Sequence, residues 1–583
     1  MKVEGPGTLK VGLPALLWRP PSVDLKVLPL RFLMSERGEA VRIRPLRDRR
    51  RIWSRVGLVA FFSIALSGAS DVYASDADQD AVGTLVPKAV CGPEDRPETA
   101  LQGQVPASLR ATGFNGFNCN LKLISQSKND GGNWQSAEFK DKRQVEGIDS
   151  EERSDRTMHT CGYYGSAAPS ASPTTRNPAT FGTRIVDLTD RKNPQLTGYL
   201  QSIAMLDPWE SLKVNEPRKL LVADQGANAA GGPAVDVYDL SNDCRFPQLL
   251  ASIPIGTGTD GGAVAPAKPY GHEGVFAPDG LTYYIGDVVN ERYHAVDLTD
   301  PTKPKYIVSF NMNALGFNAH GLSVSDDGNR LYVTAGSIGN QTKDGFLILD
   351  VSEVQARMPN PQIKLISQFT STDGWAQHTI PVSIQGKRYV IHVAEGGTGG
   401  LPGLGNSAPW AATCQGGNTP FPTASIVDIE DELHPRLVSK LVLEVNDPKN
   451  CASVAPDLVG LSVFSYGTHY CSVDNRDDAT TLACGEFNSG IRVFDIRHPR
   501  GPKEIAYFNP AGVMSQSGGS NHTRFGPGNF VLGGPDWCTS QLHLDAEEGT
   551  IWSTCQDNGL LMLKFERGVW PFEESTTPPG RQN

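Results

Sequence analysis

Residues 183 to 200 read TRIVDLTDRKNPQLTGYL, an apolar run that ends in an aspartate, a polar turn with a proline, and a second apolar run. Two short runs rich in branched side chains on either side of a turn predict a pair of antiparallel strands. The pattern returns five times, as VDVYDLSNDCRFPQLLASI, YHAVDLTDPTKPKYIVSF, FLILDVSEVQARMPNPQIKLISQF, ASIVDIEDELHPRLVSKL and IRVFDIRHPRGPKEIAYF. A unit that recurs in this way indicates a repeat architecture.

The spacing of the copies predicts how many strands each unit contains. An aspartate ends the first run of every copy, at Asp187, Asp239, Asp297, Asp350, Asp428 and Asp495. The interval between successive aspartates leaves room for two more strands per unit, and GHEGVFAPDGLTYYIGD at residues 271 to 287 has the sequence of such a hairpin. Four antiparallel strands per unit are typical of a propeller blade, so the chain is predicted to be all-β.

The last unit is incomplete at the end of the chain. LLMLKF at residues 560 to 565 has the character of a third strand, and only a polar tail, residues 568 to 583, comes after the unit. NLKLISQ at residues 120 to 126 nearly duplicates the fourth-strand sequence IKLISQF at 363 to 369. We therefore predict a seven-bladed β-propeller over residues 120 to 567, closed by an N-terminal strand that completes the last blade and removes its free edge.

Residues 1 to 74 have the pattern of an export signal with an upstream extension. Arginine-rich RIRPLRDRRRIWSR precedes the apolar run VGLVAFFSIALSGA, and cleavage is expected after Ala74. The signal would use the Sec or twin-arginine route and deliver a secreted or periplasmic protein. A membrane anchor is the alternative, but the apolar run is short for a bilayer, so we expect no integral membrane span in the mature chain. Residues 75 to 119 would form an N-terminal extension.

Charge and cysteine content restrict the partners and the compartment. Residues 1 to 74 carry 13 Lys and Arg against 6 Asp and Glu, so the remainder has a formal charge of −18, against −11 for the whole chain. A surface this acidic argues against nucleic acid as a partner. All ten cysteines follow the signal, and their even number fits disulfides in an oxidising compartment. Cys471 with Cys484, and Cys538 with Cys555, flank single hairpins and are predicted to pair.

Histidines recur where the first strand of a blade is expected to begin. The six are His159, His272, His320, His378, His469 and His543. For three of them a turn glycine follows eight residues later, at Gly280, Gly328 and Gly386, which indicates a shared register. Because the first strands of propeller blades surround the central channel, the imidazoles are expected to converge on the axis at one face. The blade that ends in VDVYDL has no counterpart.

A set of axial histidines predicts a metal site. One histidine at such a position is usually structural, but several gathered imidazoles would repel one another when protonated, and a bound cation removes that cost. Imidazole ligation favours a transition metal, copper or iron first and zinc next, and disfavours calcium and magnesium. All six histidines are therefore candidate ligands, of one metal ion or of two.

Acidic residues are expected at the same face, at the ends of the second strands. They are Asp224, Asp287, Glu395, Glu486 and Asp557, with Glu273 next to His272. These carboxylates either orient the ligating imidazoles and move protons, or accept hydrogen bonds from backbone N–H groups in hairpin turns. Glu273 and Glu395 are the candidate catalytic residues. The loop with His522 and the insertion at residues 396 to 427 are candidates for a cover over the channel.

The six copies resemble the LVIVD-repeat family of exported bacterial proteins. Seven blades with axial histidines also resemble the selenium-binding protein and methanethiol oxidase family and, more distantly, the carotenoid-cleaving oxygenases. Both resemblances concern architecture and imply the propeller rather than one reaction. The leading hypothesis is an exported metal-dependent oxidoreductase or oxygenase acting on a small organic molecule. The alternatives are a non-enzymatic cell-envelope binding or scaffold propeller with a structural or storage metal, and a zinc-dependent hydrolase.

Overall fold

The computed structural model describes residues 84–128, 131–141, 159–166, 182–224, 235–336, 344–371, 375–395, 413–458, 464–514 and 532–572. Within these ranges the chain forms 29 strands in seven antiparallel sheets, with a few short helices between them. The fold is the seven-bladed β-propeller that the repeats predict. The predicted export signal with its cleavage site at Ala74, the loop with His522 and most of the insertion after Glu395 lie outside the described residues.

Five blades are continuous in sequence and contain four strands each. Blade 1 consists of β3 (Ser136–Lys140), β4 (Thr160–Tyr164), β5 (Thr183–Asp187) and β6 (Gln195–Leu200). Blade 2 consists of β7 (Lys213–Asn215), β8 (Leu220–Asp224), β9 (Val235–Asp239) and β10 (Gln248–Ile253). Blade 3 consists of β11 (Glu273–Phe276), β12 (Thr282–Asp287), β13 (Arg292–Asp297) and β14 (Lys305–Asn311). Blade 4 consists of β15 (Leu322–Val324), β16 (Arg330–Thr334), β17 (Asp344–Asp350) and β18 (Lys364–Ser371). Blade 5 consists of β19 (Trp375–Ile384), β20 (Lys387–Glu395), β21 (Ala424–Asp428) and β22 (Arg436–Lys440).

Blades 6 and 7 each include a strand from the N-terminal part of the described chain. Blade 6 consists of β23 (Tyr470–Val473), β24 (Thr481–Glu486), β25 (Gly490–Asp495) and β26 (Lys503–Asn509), with β1 (Phe117–Cys119) added outside β26. Blade 7 consists of β27 (His543–Asp545), β28 (Thr550–Cys555) and β29 (Gly559–Phe565), with β2 (Leu121–Ser127) as its outer strand. In that blade Leu121 pairs with Phe565 and Ser127 with Leu560. The last two blades thus draw strands from both ends of the propeller sequence.

Short helices lie in the connections between strands and in the segment before β1. Three α-helices lie wholly within the described ranges, α1 (Ala107–Thr112), α2 (Ser352–Gln355) and α3 (Cys451–Val454). The 3-10 turns are Ala204–Leu206, Asn313–Leu315, Glu444–Asn446, Pro448–Asn450, Ala455–Leu458 and Phe487–Ser489. None of the helices in the described ranges is long and apolar enough to cross a bilayer.

The first strand of each blade faces the central channel. β3 packs against β7, and the contacts continue around the ring from β7 to β11, β15, β19, β23 and β27. Ser136 Oγ lies 3.0 Å from His543 Nε2 and joins the first strands of blades 1 and 7. Residues at the start of these strands, and in the loops that lead into them, therefore meet at one end of the channel.

The repeated aspartate has a structural role in the turn between the third and fourth strands. Its carboxylate accepts the backbone N–H of the residue two positions later, as in Asp187 with Thr189 at 2.9 Å and Asp297 with Thr299 at 2.8 Å. The same bond is present at Asp239, Asp350, Asp428 and Asp495. The side chain that identifies the repeat in the sequence thus fixes the turn, as such aspartates commonly do.

Five disulfides cross-link the described chain. The predicted pairs Cys471–Cys484 and Cys538–Cys555 are confirmed, and each joins two neighbouring strands or their extensions. The others are Cys91–Cys119, Cys161–Cys244 and Cys414–Cys451. Five disulfides and no free cysteine indicate a protein of an oxidising compartment.

Candidate metal centre

Three of the six predicted histidines converge at one end of the channel. His272 directly precedes β11, His320 lies two residues before β15, and His469 directly precedes β23. All three are buried, with at most 6% of each residue exposed. The Nε2 atoms of His272 and His320 are 3.0 Å apart. Inner strands of blades 3, 4 and 6 therefore bring these imidazoles together, as the sequence predicts.

Two buried glutamates connect the three imidazoles. Glu210 places one oxygen 3.3 Å from His272 Nε2 and the other 3.3 Å from His469 Nε2. Glu395, at the end of β20, lies 3.5 Å from His320 Nε2 and 3.4 Å from His469 Nε2. Each carboxylate thus bridges two rings. We call the group the axial centre, which consists of Glu210, His272, His320, Glu395 and His469.

Backbone carbonyls determine which ring nitrogens face the axial centre. His320 Nδ1 lies 3.0 Å from the carbonyl oxygen of Gln377, and His469 Nδ1 lies 2.9 Å from that of Thr539. A carbonyl oxygen accepts only, so both Nδ1 atoms donate, and in the neutral rings each Nε2 carries a lone pair. His272 Nε2 accepts a hydrogen bond of 3.2 Å from Trp209 Nε1. The Nε2 atoms of His320 and His469 therefore face carboxylate oxygens, whereas the Nε2 lone pair of His272 accepts the indole N–H of Trp209.

Electrostatics keep two of the donors in the forms that bind metal. Burial, together with the charge of the neighbouring His272, lowers the pKa of His320 to about 3, so the ring is neutral. Burial alone would raise the pKa of Glu210, but the charges and hydrogen bonds of His272 and His469 take it well below its ordinary value. A neutral imidazole and an ionised carboxylate are the protonation states that metal binding requires.

For Glu395 and His469 the surroundings shift both pKa values upward. Burial raises the pKa of Glu395 to about 8, opposed by the charge of His469. Burial disfavours protonation of His469, but hydrogen bonding to Glu210 and the charge of Glu395 outweigh it and raise the pKa of the ring. The cluster can therefore be neutralised in three ways, by a proton on Glu395, by a proton on His469 or by a cation among the five side chains.

The remaining predicted histidines do not point into the axial centre. His378 lies within β19, stacks on Tyr470 with ring centroids 4.5 Å apart, and turns Nε2 toward the backbone N–H of Cys471 at 3.5 Å. His543 opens β27, where its contacts are with Ser136 and with the ring of Trp552, 4.2 Å away. Both histidines lie on inner strands, as expected, but their ring nitrogens have other partners.

The prediction that His159 opens an innermost strand is wrong. The first strand of blade 1 is β3, and His159 precedes the second strand, β4, where Lys140 pairs with Thr160 at the end of β3 opposite to Ser136. Its Nδ1 lies 3.2 Å from Asp187 Oδ2. The register was chosen by the presence of a histidine, and blade 1 begins its inner strand, SAEFK, without one. His159 therefore belongs to the other face of the propeller.

Glu210 was not among the predicted site residues. It lies in the sequence DPWES, three residues before β7, in the one blade for which no axial histidine was found. Its place in the loop into the first strand corresponds to that of the histidines in blades 3, 4 and 6. A search for any metal-ligating side chain at that position, instead of histidine alone, would have identified it.

The structure places the predicted acidic residues in different environments. Glu395 joins the axial centre, whereas Asp287 accepts backbone N–H groups of Tyr270 and Val289 and pairs with His294 at 3.0 Å. Asp224 accepts from Tyr283 at 3.2 Å. Asp287 thus agrees with the alternative interpretation that these carboxylates satisfy hairpin backbone groups, whereas Asp224 of blade 2 contacts the neighbouring blade 3.

Aromatic side chains cover the axial centre on the side of the connecting loops. Trp134 lies over His469 with ring centroids 4.8 Å apart, and Trp209 lies 5.6 Å from His272. These two pack with three further rings in a cluster that we call the aromatic cover: Trp134, Trp209, Phe464, Phe487 and Trp537. A low-polarity cover of this kind strengthens charge interactions beneath it.

A second layer lies further along the inner strands, one to three residues beyond the donors. Lys213 Nζ is 3.6 Å from Glu273 Oε1 and 5.7 Å from the ring centroid of Tyr470. Burial raises the pKa of Glu273 to about 8, opposed by the charge of Lys213. The predicted catalytic residue Glu273 therefore lies next to the axial centre but not within it. We call the group the second layer, which consists of Lys213, Glu273, His378 and Tyr470.

The donor set of the axial centre fits a transition metal. Glu210, His272 and His320 each offer a ligand atom, and these atoms lie within 4.8 Å of one another. Imidazole nitrogen with carboxylate oxygen is a donor combination found with iron and with zinc. The carboxylates add hard oxygen donors to the histidines that the sequence predicts.

The protein is thus a seven-bladed β-propeller with a buried histidine–glutamate centre on its axis. No protein-family model and no curated protein matches the chain. A protein from Lactobacillus plantarum is 12% identical with a TM-score of 0.41, over 65% of this chain and 86% of its own. The hydrazine synthase of Kuenenia stuttgartiensis is 12% identical with a TM-score of 0.39, over 69% and 91%. The periplasmic gluconolactonase of Pseudomonas aeruginosa is 11% identical with a TM-score of 0.35, over 60% and 85%. These similarities are too low to support a conclusion about chemistry.

Proposed function

We propose that the protein is a metal-dependent enzyme whose metal ion is held by the axial centre. The observation that carries the proposal is the orientation of His320 and His469, which both give the Nδ1 proton to a backbone carbonyl and turn a lone pair toward other acceptors. Acceptors gathered away from water at 3.0 to 3.5 Å are costly without a proton or a metal cation among them. The same carbonyls are the usual partners of metal-ligating histidines.

An oxidoreductase or oxygenase with iron is the function that we favour. Two histidines with one carboxylate are the donors of non-haem iron oxygenases, and the presence of Glu210 moves the preference from copper toward iron. When bound, the metal supplies a redox and Lewis-acid centre. The substrate would be a small organic molecule, because the donors are buried beneath the aromatic cover.

The surrounding side chains would hold and serve this centre. Gln377 Nε2 donates to Glu210 at 2.9 Å and keeps that carboxylate in position. The aromatic cover excludes water from the rings of His272 and His469. Glu273 has one carboxylate oxygen without a hydrogen-bond partner among the described residues, so by its position it is our candidate for accepting a proton from the substrate.

Two alternative functions use the same residues. A zinc-dependent hydrolase would also use two histidines and a glutamate as ligands. In the second alternative His469 is protonated between Glu210 and Glu395, the cluster needs no metal, and the chain is a non-enzymatic binding or scaffold propeller. The raised pKa of His469 is the observation that favours this second alternative.

We further infer that the protein belongs with the exported LVIVD-repeat propellers and is related in architecture to the selenium-binding proteins. The six copies of the repeat support the first relationship, and three axial histidines support the second. Residues 1 to 74 would direct export, with cleavage after Ala74. The five disulfides support a compartment outside the cytoplasm.

Metal analysis of the purified mature chain tests the proposal. We expect one equivalent of iron in the wild type, and loss of that metal in His320→Ala and Glu210→Gln. His434→Ala is the matched control, because that histidine is exposed and pairs only with Asp431 on the surface. A wild-type protein without stoichiometric iron, copper or zinc would overturn the proposal, and stoichiometric zinc with hydrolytic activity would favour the hydrolase.

A further inference from the structure

Lys213 projects into the central channel beside the axial centre. It opens β7 in blade 2, three residues after Glu210. Its ammonium nitrogen lies 3.6 Å from Glu273 of blade 3 and 5.7 Å from the ring centroid of Tyr470 in blade 6. Because these contacts come from blades on different sides of the channel, the charged end of Lys213 lies inside the channel and not at its rim.

The ammonium group of Lys213 has hydrogen-bonding capacity that its neighbours do not use. An ammonium carries three N–H donors, and 3.6 Å is an ion-pair distance that is too long for a good hydrogen bond. The face of Tyr470 offers a cation–π contact and no acceptor lone pair. Glu273 is therefore the nearest acceptor among the described residues, and it leaves the donors largely available.

Lys213 is the most accessible member of the second layer. Its side chain is 18% exposed, whereas that of Glu273 is 3% exposed. The two other members of the second layer, His378 and Tyr470, are also buried. Lys213 is therefore the one long, charged and partly accessible side chain of the second layer.

We propose that Lys213 binds an anionic group of the substrate, so that the enzyme acts on a small organic anion such as a carboxylate. The inference rests on the proposed function, since it places the substrate beside the axial centre. A carboxylate would supply the acceptors that the ammonium donors lack, and such charge-assisted hydrogen bonds are strong out of water. The nearby side chains Glu210, Glu273 and Glu395 disfavour an anion elsewhere in the channel, which makes Lys213 the specificity-determining residue.

Binding of acetate and acetamide to the full mature protein tests the inference. The two probes have nearly the same shape and differ in charge. We expect calorimetric titration to show acetate binding at least tenfold tighter than acetamide, and Lys213→Met to remove that preference. Lys303→Met is the control, because it removes the same charge from an exposed turn in blade 3. Equal binding of the two probes to the wild type, or unchanged acetate affinity in Lys213→Met, would overturn the inference.

One further measurement separates this inference from the proposed function. Metal content is measured in the same samples, so a metal-free wild type that still binds acetate through Lys213 rejects the metal centre and keeps the anion site. A metal-loaded wild type that binds acetate and acetamide equally rejects the anion site and keeps the metal centre.

If Lys213→Met does not fold, acylation of wild-type Lys213 by an amine-reactive ester is followed by peptide mass spectrometry. Acetate should slow that acylation at least fivefold and acetamide should not, and equal rates would overturn the inference.

Discussion

Glu210 and His469 lie 3.3 Å apart, although one comes from blade 2 and the other from blade 6. Between these blades around the ring lie blades 3, 4 and 5, which contribute His272, His320 and Glu395. The contact therefore crosses the channel and closes a cluster in which five consecutive blades take part. At this depth side chains join the blades together with backbone bonds, such as the 3.1 Å bond from the N–H of Glu210 to the carbonyl of His272, so the chemistry of the centre and the geometry of the ring depend on each other.

Replacement of Glu210 by glutamine should weaken metal binding at least a hundredfold. The amide keeps the shape of the side chain but removes the charge and one acceptor oxygen from the two imidazoles that it bridges. Competition with a chelator of known affinity measures the change. Glu216→Gln, an exposed position after the same inner strand, should bind as the wild type does. An affinity for Glu210→Gln within threefold of the wild type would exclude Glu210 as a ligand.

Gln377→Leu should weaken metal binding about tenfold without loss of the fold. The substitution removes the hydrogen bond of 2.9 Å to Glu210 but keeps the backbone carbonyl that orients His320. Partners that orient a ligand typically change metal affinity by about 10- to 100-fold. The chelator competition measures this variant as well. Gln377→Glu serves as a comparison. A second negative charge at 2.9 Å should displace Glu210 and reduce the metal affinity more than the leucine substitution does.

The stability of the protein should decrease as the pH rises from about 4.5 to about 8, in part because of Glu486. Burial raises the pKa of this carboxyl to about 8, opposed by Arg492, whereas the unfolded chain has the ordinary value of 4.5. Between these values the folded state holds a proton that the unfolded state releases, so increasing pH favours unfolding. In Glu486→Gln this contribution is absent, and its melting temperature should exceed that of the wild type by a difference that grows from pH 5 to pH 8.

Thermal denaturation at several pH values measures the effect of Glu486. The expected difference at pH 8 is on the order of a few degrees. Glu547→Gln, an exposed position near the start of β28, should follow the wild type at every pH. A constant offset between Glu486→Gln and the wild type from pH 5 to pH 8 would show that Glu486 ionises normally in the folded protein.

Removal of the Cys471–Cys484 disulfide should lower both the free energy of unfolding and the metal content. Cys471 follows His469 by two residues, and its backbone N–H faces His378, so the bond fixes the strand that presents both rings. Replacing both cysteines by alanine should lower the free energy of unfolding by about 2–4 kcal/mol. The same change at Cys91–Cys119, before the inner strands, should lower stability and leave the metal content intact. Equal metal content in the two double variants would contradict this coupling.

The repeat made the architecture predictable, because each copy contains its own strands and turn. The histidines of blades 3 and 4 were predictable for the same reason, as they keep one register relative to the turn glycine, and His469 of blade 6 was predictable from its place at the start of a first strand. Glu210 and Lys213 belong to the blade in which that register has no histidine, and their importance depends on which blades face each other across the channel. His159 shows the opposite error, since a histidine next to a strand does not reveal whether the strand is the first or the second of its blade.

The donors of the axial centre extend from residue 210 to residue 469, while blades 1 and 7 contribute Trp134 and Trp537 to the aromatic cover. A nascent or truncated chain can form individual blades, but it cannot assemble this cluster until blades 2 to 6 have taken their places around the channel. Metal retention would accordingly measure completion of the ring, which secondary-structure content cannot do, and loading would be the last event in the maturation of the protein.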